Sequence, residues 1–303
     1  MTAGVIERCP ACGSAERVPG ERVSFDRIWQ ELRDTWSAEF APDTRARLQP
    51  AESTDVVRCS SCGLTYFVPA IPGDATFYEE LGRAMPYHDR RWEFGLVVRS
   101  LRPVDQVVDL GCGDGAFVRA IASRVGRAVG VDHNSDAIDR LRADGLEAYA
   151  EPFGAFAERN VGAFDVACSF HTLEHLRAVD DLMGPGVACV RGGGRLFVSV
   201  PNANRLRVDD FEPLDHPPHH VSRWRSADLE ALCDRYPLEL ISIRFEEPGY
   251  HVARAWARER GGASARIALG PVRYLAMRST HRLTGRGAYG HSMLAEFRRR
   301  ETP

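Results

Sequence analysis

The chain contains no lysine. All 39 of its basic residues are arginine, which excludes a lysine Schiff base and a lysine general base from its chemistry. It also lacks long apolar runs: no stretch reaches the ~20 residues that a membrane-spanning helix needs. The opening residues, MTAGVIERCPACGS, are too polar for a secretory leader. A cytoplasmic protein is therefore expected, with its eight cysteines as thiols or metal ligands rather than disulfides. A large charge of one sign is missing too. The net charge is −3, so no overall field favours nucleic acid. What is present is a hydrophobic fraction of 44% in 303 residues, enough for a core and for one large domain or two unequal ones.

Four of the cysteines form two C-x-x-C-G knuckles, Cys9-Pro10-Ala11-Cys12-Gly13 and Cys59-Ser60-Ser61-Cys62-Gly63. Each pair can reach one metal from a tight turn, and four thiolates close a tetrahedral shell. That suits a structural zinc ion and leaves no open catalytic position. Cys9, Cys12, Cys59 and Cys62 are thus the expected metal ligands. Cys112, Cys168, Cys189 and Cys233 lie in apolar contexts or in a glycine turn and are expected to pack. Between the knuckles, FDRIWQELRDTW (25–36) spaces Phe25, Ile28, Trp29, Leu32 and Trp36 as a helix would. LTYFVPAIPG reads as a strand ending in a proline-rich turn, and 87–101 as an amphipathic helix.

From residue 106 short apolar strands alternate with helical stretches: strands at 106–110, 128–132, 147–150, 164–170 and 194–201, and helices at 115–125, 135–145 and near 178–190. Ser135 is the expected N-cap of the second helix and Gly145 its stop. This order predicts an α/β, doubly wound parallel sheet. Ligands bind such sheets at the carboxyl ends of the strands. VVDLGCGDGAF (107–117) sits there, and its Gly111, Cys112, Gly113 and Gly115 form the turn expected to cradle a nucleotide-like ligand. A loose G-x-G-x-x-[G/A] pattern admits NAD. The acids argue against it. Asp109 and Asp114 would repel a pyrophosphate but attract the ammonium and sulfonium of S-adenosylmethionine. Asp132 ends the second strand, where it can accept from ribose hydroxyls of either cofactor.

These stretches resemble the class I S-adenosylmethionine-dependent methyltransferases. VVDLGCGDGAF looks like their first motif, VGVDHN like their acidic second motif, and FDVACSFHTLEHL like their fourth. AEPF (150–153) sits where the adenine is bordered. HPPHHVSRW (216–224) followed by SADLEAL (226–232) is similar to the ubiquinone-biosynthesis-type branch, and HSMLAEF (291–297) to the last strand. The resemblance implies a Rossmann-like methyltransferase sheet binding S-adenosylmethionine, with His133, Glu151 and Phe170 added to the cofactor residues. The cysteine knuckles resemble those of bacterial methyltransferases encoded among surface-polysaccharide or natural-product genes. They also resemble those of zinc-containing sugar C-methyltransferases, although the Asp-Leu-Gly-x-x-Pro type segment of that group is missing. The [N/D]-P-P-[F/Y/W] motif used on nucleobase amines is replaced by Ser169-Phe170-His171-Thr172, which argues against methylation of DNA amino groups.

A base is needed only if the acceptor must lose a proton, and histidine supplies most such bases. His171, His175, His219 and His220 are the candidates. His171, Glu174 and His175 share one face if the segment is helical. They form either a metal or acid–base site, or a set of hydrogen bonds to loop backbone. His216, His219 and His220 flank Pro217-Pro218 in a loop expected to roof the acceptor.

The expected organisation is a small zinc-ribbon-like module (1–85), a methyltransferase domain (86–250 and 288–300) and a basic helical insertion (251–287). Residues 251–303 carry eleven Arg against three Glu, a net +8. Such a stretch forms a solvated or homodimer face, touches an anionic membrane or lipid-linked glycan, or grips RNA. The acceptor is expected to be a small molecule or glycan-type hydroxyl, with nucleic acid not favoured. The alternatives are a sugar C-methyltransferase, an RNA methyltransferase and a non-catalytic S-adenosylmethionine-binding protein.

Overall fold

The structure, a computed structural model, describes residues 4–84, 91–205, 211–247 and 290–301. The basic insertion expected at 251–287 lies outside the described residues. In chain order the first elements are β1 (Arg17–Ser24), α1 (Phe25–Trp36), α2 (Pro42–Leu48), β2 (Ser53–Cys59), β3 (Thr65–Val68) and α3 (Ala75–Ala84). Then come α4 (Trp92–Ser100), β4 (Gln106–Leu110), α5 (Ala116–Ile121), β5 (Arg127–Asp132), α6 (Ser135–Ala143), β6 (Glu147–Ala150) and α7 (Phe153–Arg159). The last are β7 (Phe164–Phe170), α8 (Asp180–Cys189), β8 (Val190–Pro201), β9 (Ser222–Arg223), α9 (Ser226–Glu230), β10 (Leu238–Phe245) and β11 (Ser292–Arg299).

Helix α1 follows its apolar spacing. Phe25, Ile28, Trp29 and Leu32 are buried, and the Ser24 hydroxyl accepts from the Arg27 amide at 3.3 Å to cap the first turn. The cap of α6 departs from expectation. Asn134, not Ser135, accepts from the Ala137 amide at 3.1 Å. Ser135 is already the first helical residue, and a cap must lie one step outside the helix. Helix α5 is shorter than the expected 115–125, and α4 covers Trp92–Ser100 of the helix expected at 87–101, whose residues 87–90 lie outside the described residues. Helix α7, starting at Phe153, supplies the helix that the alternating order requires between β6 and β7.

Seven strands form one sheet in the order β10-β11-β8-β7-β4-β5-β6. Strands β6, β5, β4, β7 and β8 run parallel, as the alternating pattern predicts. β11 inserts antiparallel between β8 and β10. Strand β4 lies near the middle, covered on both faces, and Val107, Val108, Asp109 and Leu110 are all buried. Asp109 is therefore a carboxylate inside a central strand.

A second sheet has the order β1-β2-β3-β9. Its edge strand, Ser222–Arg223, comes from the segment after HPPHH and pairs with β3 at Thr65 and Tyr66. The backbone amides of Phe67 and Gly73 donate to the carbonyls of Val221 (3.1 Å) and Pro218 (2.7 Å). The N-terminal module thus holds the histidine loop from one side. The Val221 amide donates to the Glu174 carbonyl at 2.9 Å and fixes it from the other. No described helix is long and apolar enough to cross a membrane.

Candidate active site

The glycine turn follows β4 directly. Gly111, Gly113 and Gly115 all have positive φ, a backbone region that side chains disfavour. At Gly111 and Gly115 the neighbours also forbid a side chain: a Cβ would sit 2.3 Å from Thr172 Oγ1 and 2.2 Å from Leu141 Cδ2. At Gly113 nothing lies within 4 Å, so the turn leaves open space there. Asp132 buttresses the turn, accepting from the Gly113 amide through Oδ2 and the Asn134 amide through Oδ1, both at 2.9 Å.

Asp109 is 3% exposed, and its Oδ1 makes no hydrogen bond. Burial, then the charge of Asp132 and that of Asp114, pushes its carboxyl up to about 8, with Arg91 opposing. A buried oxygen without a donor beside an open glycine cradle fits the ammonium end of S-adenosylmethionine and does not fit a pyrophosphate. The Cys112 side chain turns into the core beneath Gly130, which leaves only its backbone for a ligand. His133 lies against Phe153 with ring centroids 5.2 Å apart, and Glu151 pairs with Arg159. Phe170 packs in an aromatic cluster with Phe94 and Phe117.

Thr172, packed on Gly111, brings the HTLEH segment next to this turn. The segment is not an α-helix. His171 has φ +54, and Leu173–His175 make a single 3-10 turn. His171, Glu174 and His175 still approach one another: His171 Nδ1 and His175 Nε2 stand 3.4 and 4.0 Å from Glu174 Oε1. His171 Nε2 meets Glu93 Oε1 at 2.8 Å. Burial opposes charge on this ring, but Glu174 and Glu93 outweigh it and raise its pKa to about 9. His171 is therefore an imidazolium at neutral pH and has no lone pair to accept a proton.

The other rings differ. His175 Nδ1 lies 2.6 Å from the His219 carbonyl and 2.9 Å from the Tyr78 hydroxyl. A carbonyl only accepts, so Nδ1 carries the proton and Nε2 the lone pair. His219 Nδ1 likewise donates to the Leu214 carbonyl at 2.9 Å and leaves its Nε2 free. Burial lowers the pKa of His175 to about 4 and of His219 to about 3, and also lowers that of His220. His216 is occupied: its Nδ1 donates to the Glu212 carbonyl and its Nε2 accepts from Arg223, at 2.8 and 2.9 Å. The structure therefore brings together neutral imidazoles from both predicted segments, one of them on the segment whose Thr172 packs against Gly111.

Cys9, Cys12, Cys59 and Cys62 converge as their spacing predicts. Their sulfurs lie within 4.8 Å of one another, with Cys9–Cys62 and Cys12–Cys59 both 3.5 Å apart. Zn–S bonds of about 2.3 Å in a tetrahedron need sulfurs just under ~4 Å apart, so the cluster fits a zinc ion. Gly13 and Gly63 take positive φ and close the knuckles by donating to the Cys9 and Cys59 carbonyls.

A family model described as a methyltransferase domain matches residues 84–243. The chain belongs to this methyltransferase-domain family. The expected resemblance to class I S-adenosylmethionine-dependent methyltransferases is borne out. The ubiquinone biosynthesis O-methyltransferase of Burkholderia thailandensis is 31% identical over 108 residues, covering 34% of this chain and 47% of that protein. An uncharacterized 37.1 kDa protein in transposon TN4556 of Streptomyces fradiae is 25% identical over 150 residues, covering 47% of this chain and 43% of its own length. The chain thus spans less than half the length of either relative. The crystal structure of a SAM dependent methyltransferase from Archaeoglobus fulgidus aligns with a TM-score of 0.49 at 16% identity, covering 68% of this chain and 94% of that one.

Two residues of this methyltransferase-domain site escaped the sequence reading. Tyr78, from the FYEEL segment on α3, touches His175, and Glu93, at the start of α4, grips His171. The one signal available for Glu93 is an acid in an otherwise apolar helix, WEFGLVV, where burial demands a partner.

Proposed function

We propose that the chain is an S-adenosylmethionine-dependent methyltransferase acting on a hydroxyl of a small-molecule or sugar-type acceptor, with a structural zinc ion in its N-terminal cysteine cluster. Asp109, Asp132 and the backbone of Gly111–Gly115 would hold the cofactor. When bound, it supplies a methyl group already activated on a sulfonium. The chain's own task is to position the acceptor, exclude water and take up the hydroxyl proton. One observation carries the reading: neutral His175, on the segment whose Thr172 packs against Gly111, meets neutral His219 of the neighbouring loop, each with its Nδ1 tied to a backbone carbonyl and its Nε2 lone pair free. The Burkholderia relative is a ubiquinone biosynthesis O-methyltransferase, which supports a hydroxyl acceptor.

The test is equilibrium binding of labelled S-adenosylmethionine to the zinc-loaded chain, followed by label transfer into a panel of hydroxylated acceptors. His219→Ala should keep cofactor binding and lose transfer. NAD binding in place of S-adenosylmethionine would overturn the cofactor assignment, and transfer surviving in His219→Ala would remove this ring from the proton step.

A further inference from the structure

The segment expected to be a metal or acid–base triple was His171, Glu174 and His175. The structure gathers a different set. Ligand nitrogens of His175, His219 and His220 lie within 4.8 Å of one another. The ring centroids are 4.9 Å apart for His175–His219, 4.9 Å for His175–His220 and 4.3 Å for His219–His220. His171 is drawn aside by Glu93. We infer that His175, His219 and His220, with the Glu174 carboxylate beside them, form a second metal site that takes a divalent transition-metal ion.

Three observations carry this. First, the far nitrogens of His175 and His219 are anchored, and that of His220 faces a carboxylate. His175 Nδ1 donates to the His219 carbonyl, and His219 Nδ1 to the Leu214 carbonyl. His220 Nδ1 faces Asp215 Oδ1 at 3.7 Å, with Asp215 itself gripped by Arg205 at 2.5 Å. Metal-binding histidines are typically oriented in this way, one nitrogen on a carbonyl or carboxylate and the other aimed at the ion.

Second, Glu174 is 1% exposed and neither carboxylate oxygen makes a hydrogen bond. Its Oε1 stands 4.0 Å from His175 Nε2 and 3.9 Å from His220 Nε2. The His171 imidazolium, 3.4 Å from Oε1, supplies one positive charge to this buried carboxylate, and a cation beside His175 and His220 would complete its surroundings. Third, the donor set selects the ion. Three imidazoles and one carboxylate suit zinc, cobalt, nickel or iron(II) and offer too few oxygens for calcium or magnesium. The cysteine cluster is a closed shell of four, whereas an ion held by the three imidazoles, with Glu174 beside it, keeps a position for an outside oxygen.

The consequence for chemistry rests on the cofactor and hydroxyl acceptor of the functional reading above and moves its proton step: with their Nε2 lone pairs on the ion, His175 and His219 no longer take up the proton. A hydroxyl bound to such an ion gives up its proton more readily. Its O–H bond breaks, the proton leaves to solvent, and the electron pair stays on the oxygen.

The experiment is metal titration of the full chain with its cysteine site already filled with zinc, using cobalt(II) chloride as the probe. A second equivalent per chain is expected, with visible d–d absorption and no thiolate-to-cobalt charge-transfer band. His175→Ala, and separately the double variant His219→Gln with His220→Gln, should weaken that equivalent by more than about 100-fold while cysteine-bound zinc and S-adenosylmethionine binding remain. A wild-type chain that takes up no second equivalent overturns the inference whatever the variants do. So does a second equivalent that persists in both variants. Loss of methyl transfer with the second metal still bound would instead count against the functional reading alone.

Discussion

Arg225 donates from Nη2 to the carbonyl of Gly63 across 2.7 Å, joining the second cysteine knuckle to the start of α9, two residues beyond the strand that leaves the histidine loop. The same guanidinium is clamped by Asp228 at 2.6 Å. With the β3–β9 pairing, this makes the cysteine module the wall against which His219 and His220 are set. Zinc binding supplies apparent folding free energies of about 10–16 kcal/mol in small zinc domains, so emptying the cluster should loosen that wall. Cys59→Ser with Cys62→Ser is expected to abolish methyl transfer. S-adenosylmethionine affinity should stay within about threefold, less than ~1 kcal/mol, because Asp109 and the glycine turn stand on the other sheet. Parallel titrations of cofactor binding and transfer check this. A matching fall in both would show that the module supports the whole domain rather than the acceptor side.

Asp109 links cofactor binding to stability. Its folded pKa of about 8 lies above the ordinary 3.8. Between those values the folded chain holds a proton that the unfolded chain has released, so stability falls as pH rises through this window. Asn has the same shape and never ionises. In Asp109→Asn the cofactor-free chain should therefore melt higher than wild type, by a margin that widens with pH and levels off above about 8. The same change should cost cofactor affinity, since the ammonium loses its carboxylate. Melting curves across the pH range decide the first part, and calorimetry the second. A variant that melts below wild type at high pH would show that the carboxylate is stabilised by partners rather than strained.

Tyr78 offers a narrower test. Its hydroxyl approaches His175 Nδ1 at 2.9 Å and the His219 carbonyl at 3.4 Å, but the carbonyl already fixes the His175 tautomer. Tyr78→Phe should leave cofactor affinity unchanged and lower transfer by roughly fivefold, the worth of a hydrogen bond of about 1 kcal/mol. A loss as large as that of His219→Ala would make the phenol a direct participant in the proton step.

The readable and unreadable parts of this chain divide along sequence distance. Helix α1, the parallel strands and the glycine turn rest on periodicities and turn chemistry within a dozen residues, and these were legible. The Cys9/Cys12 and Cys59/Cys62 cluster was legible despite its long loop because metal chemistry dictates its own partners. The pairing of Glu93 with His171 spans the whole glycine turn, and that of Tyr78 with His175 spans more. Neither leaves a local pattern. The grouping of His175 with His219 and His220 depends on a two-residue strand, Ser222–Arg223, that only the N-terminal sheet makes possible. Tertiary pairing, not helical spacing, chose which histidines meet, which is why the i, i+3, i+4 reading gathered His171 instead.

Gly113 and Gly115 separate the two uses of the turn. Both adopt positive φ, so alanine at either adds a backbone strain of about 1–2 kcal/mol. Their surroundings then diverge. A methyl group at Gly115 would meet Leu141 Cδ2 at 2.2 Å, and Leu141 is fully buried and cannot swing away. At Gly113 the methyl group meets no protein atom within 4 Å and enters the space above the turn. Gly115→Ala should therefore lose several degrees of melting temperature more than Gly113→Ala. Gly113→Ala should fold and yet lose about tenfold or more in S-adenosylmethionine affinity, because its methyl group occupies ligand space. Thermal melts and equilibrium binding on the two variants read these effects independently. A Gly113→Ala chain that binds the cofactor as wild type does would mean that the ligand passes the turn elsewhere, and Asp132, which holds the Gly113 amide, would lose its assigned place beside the ribose.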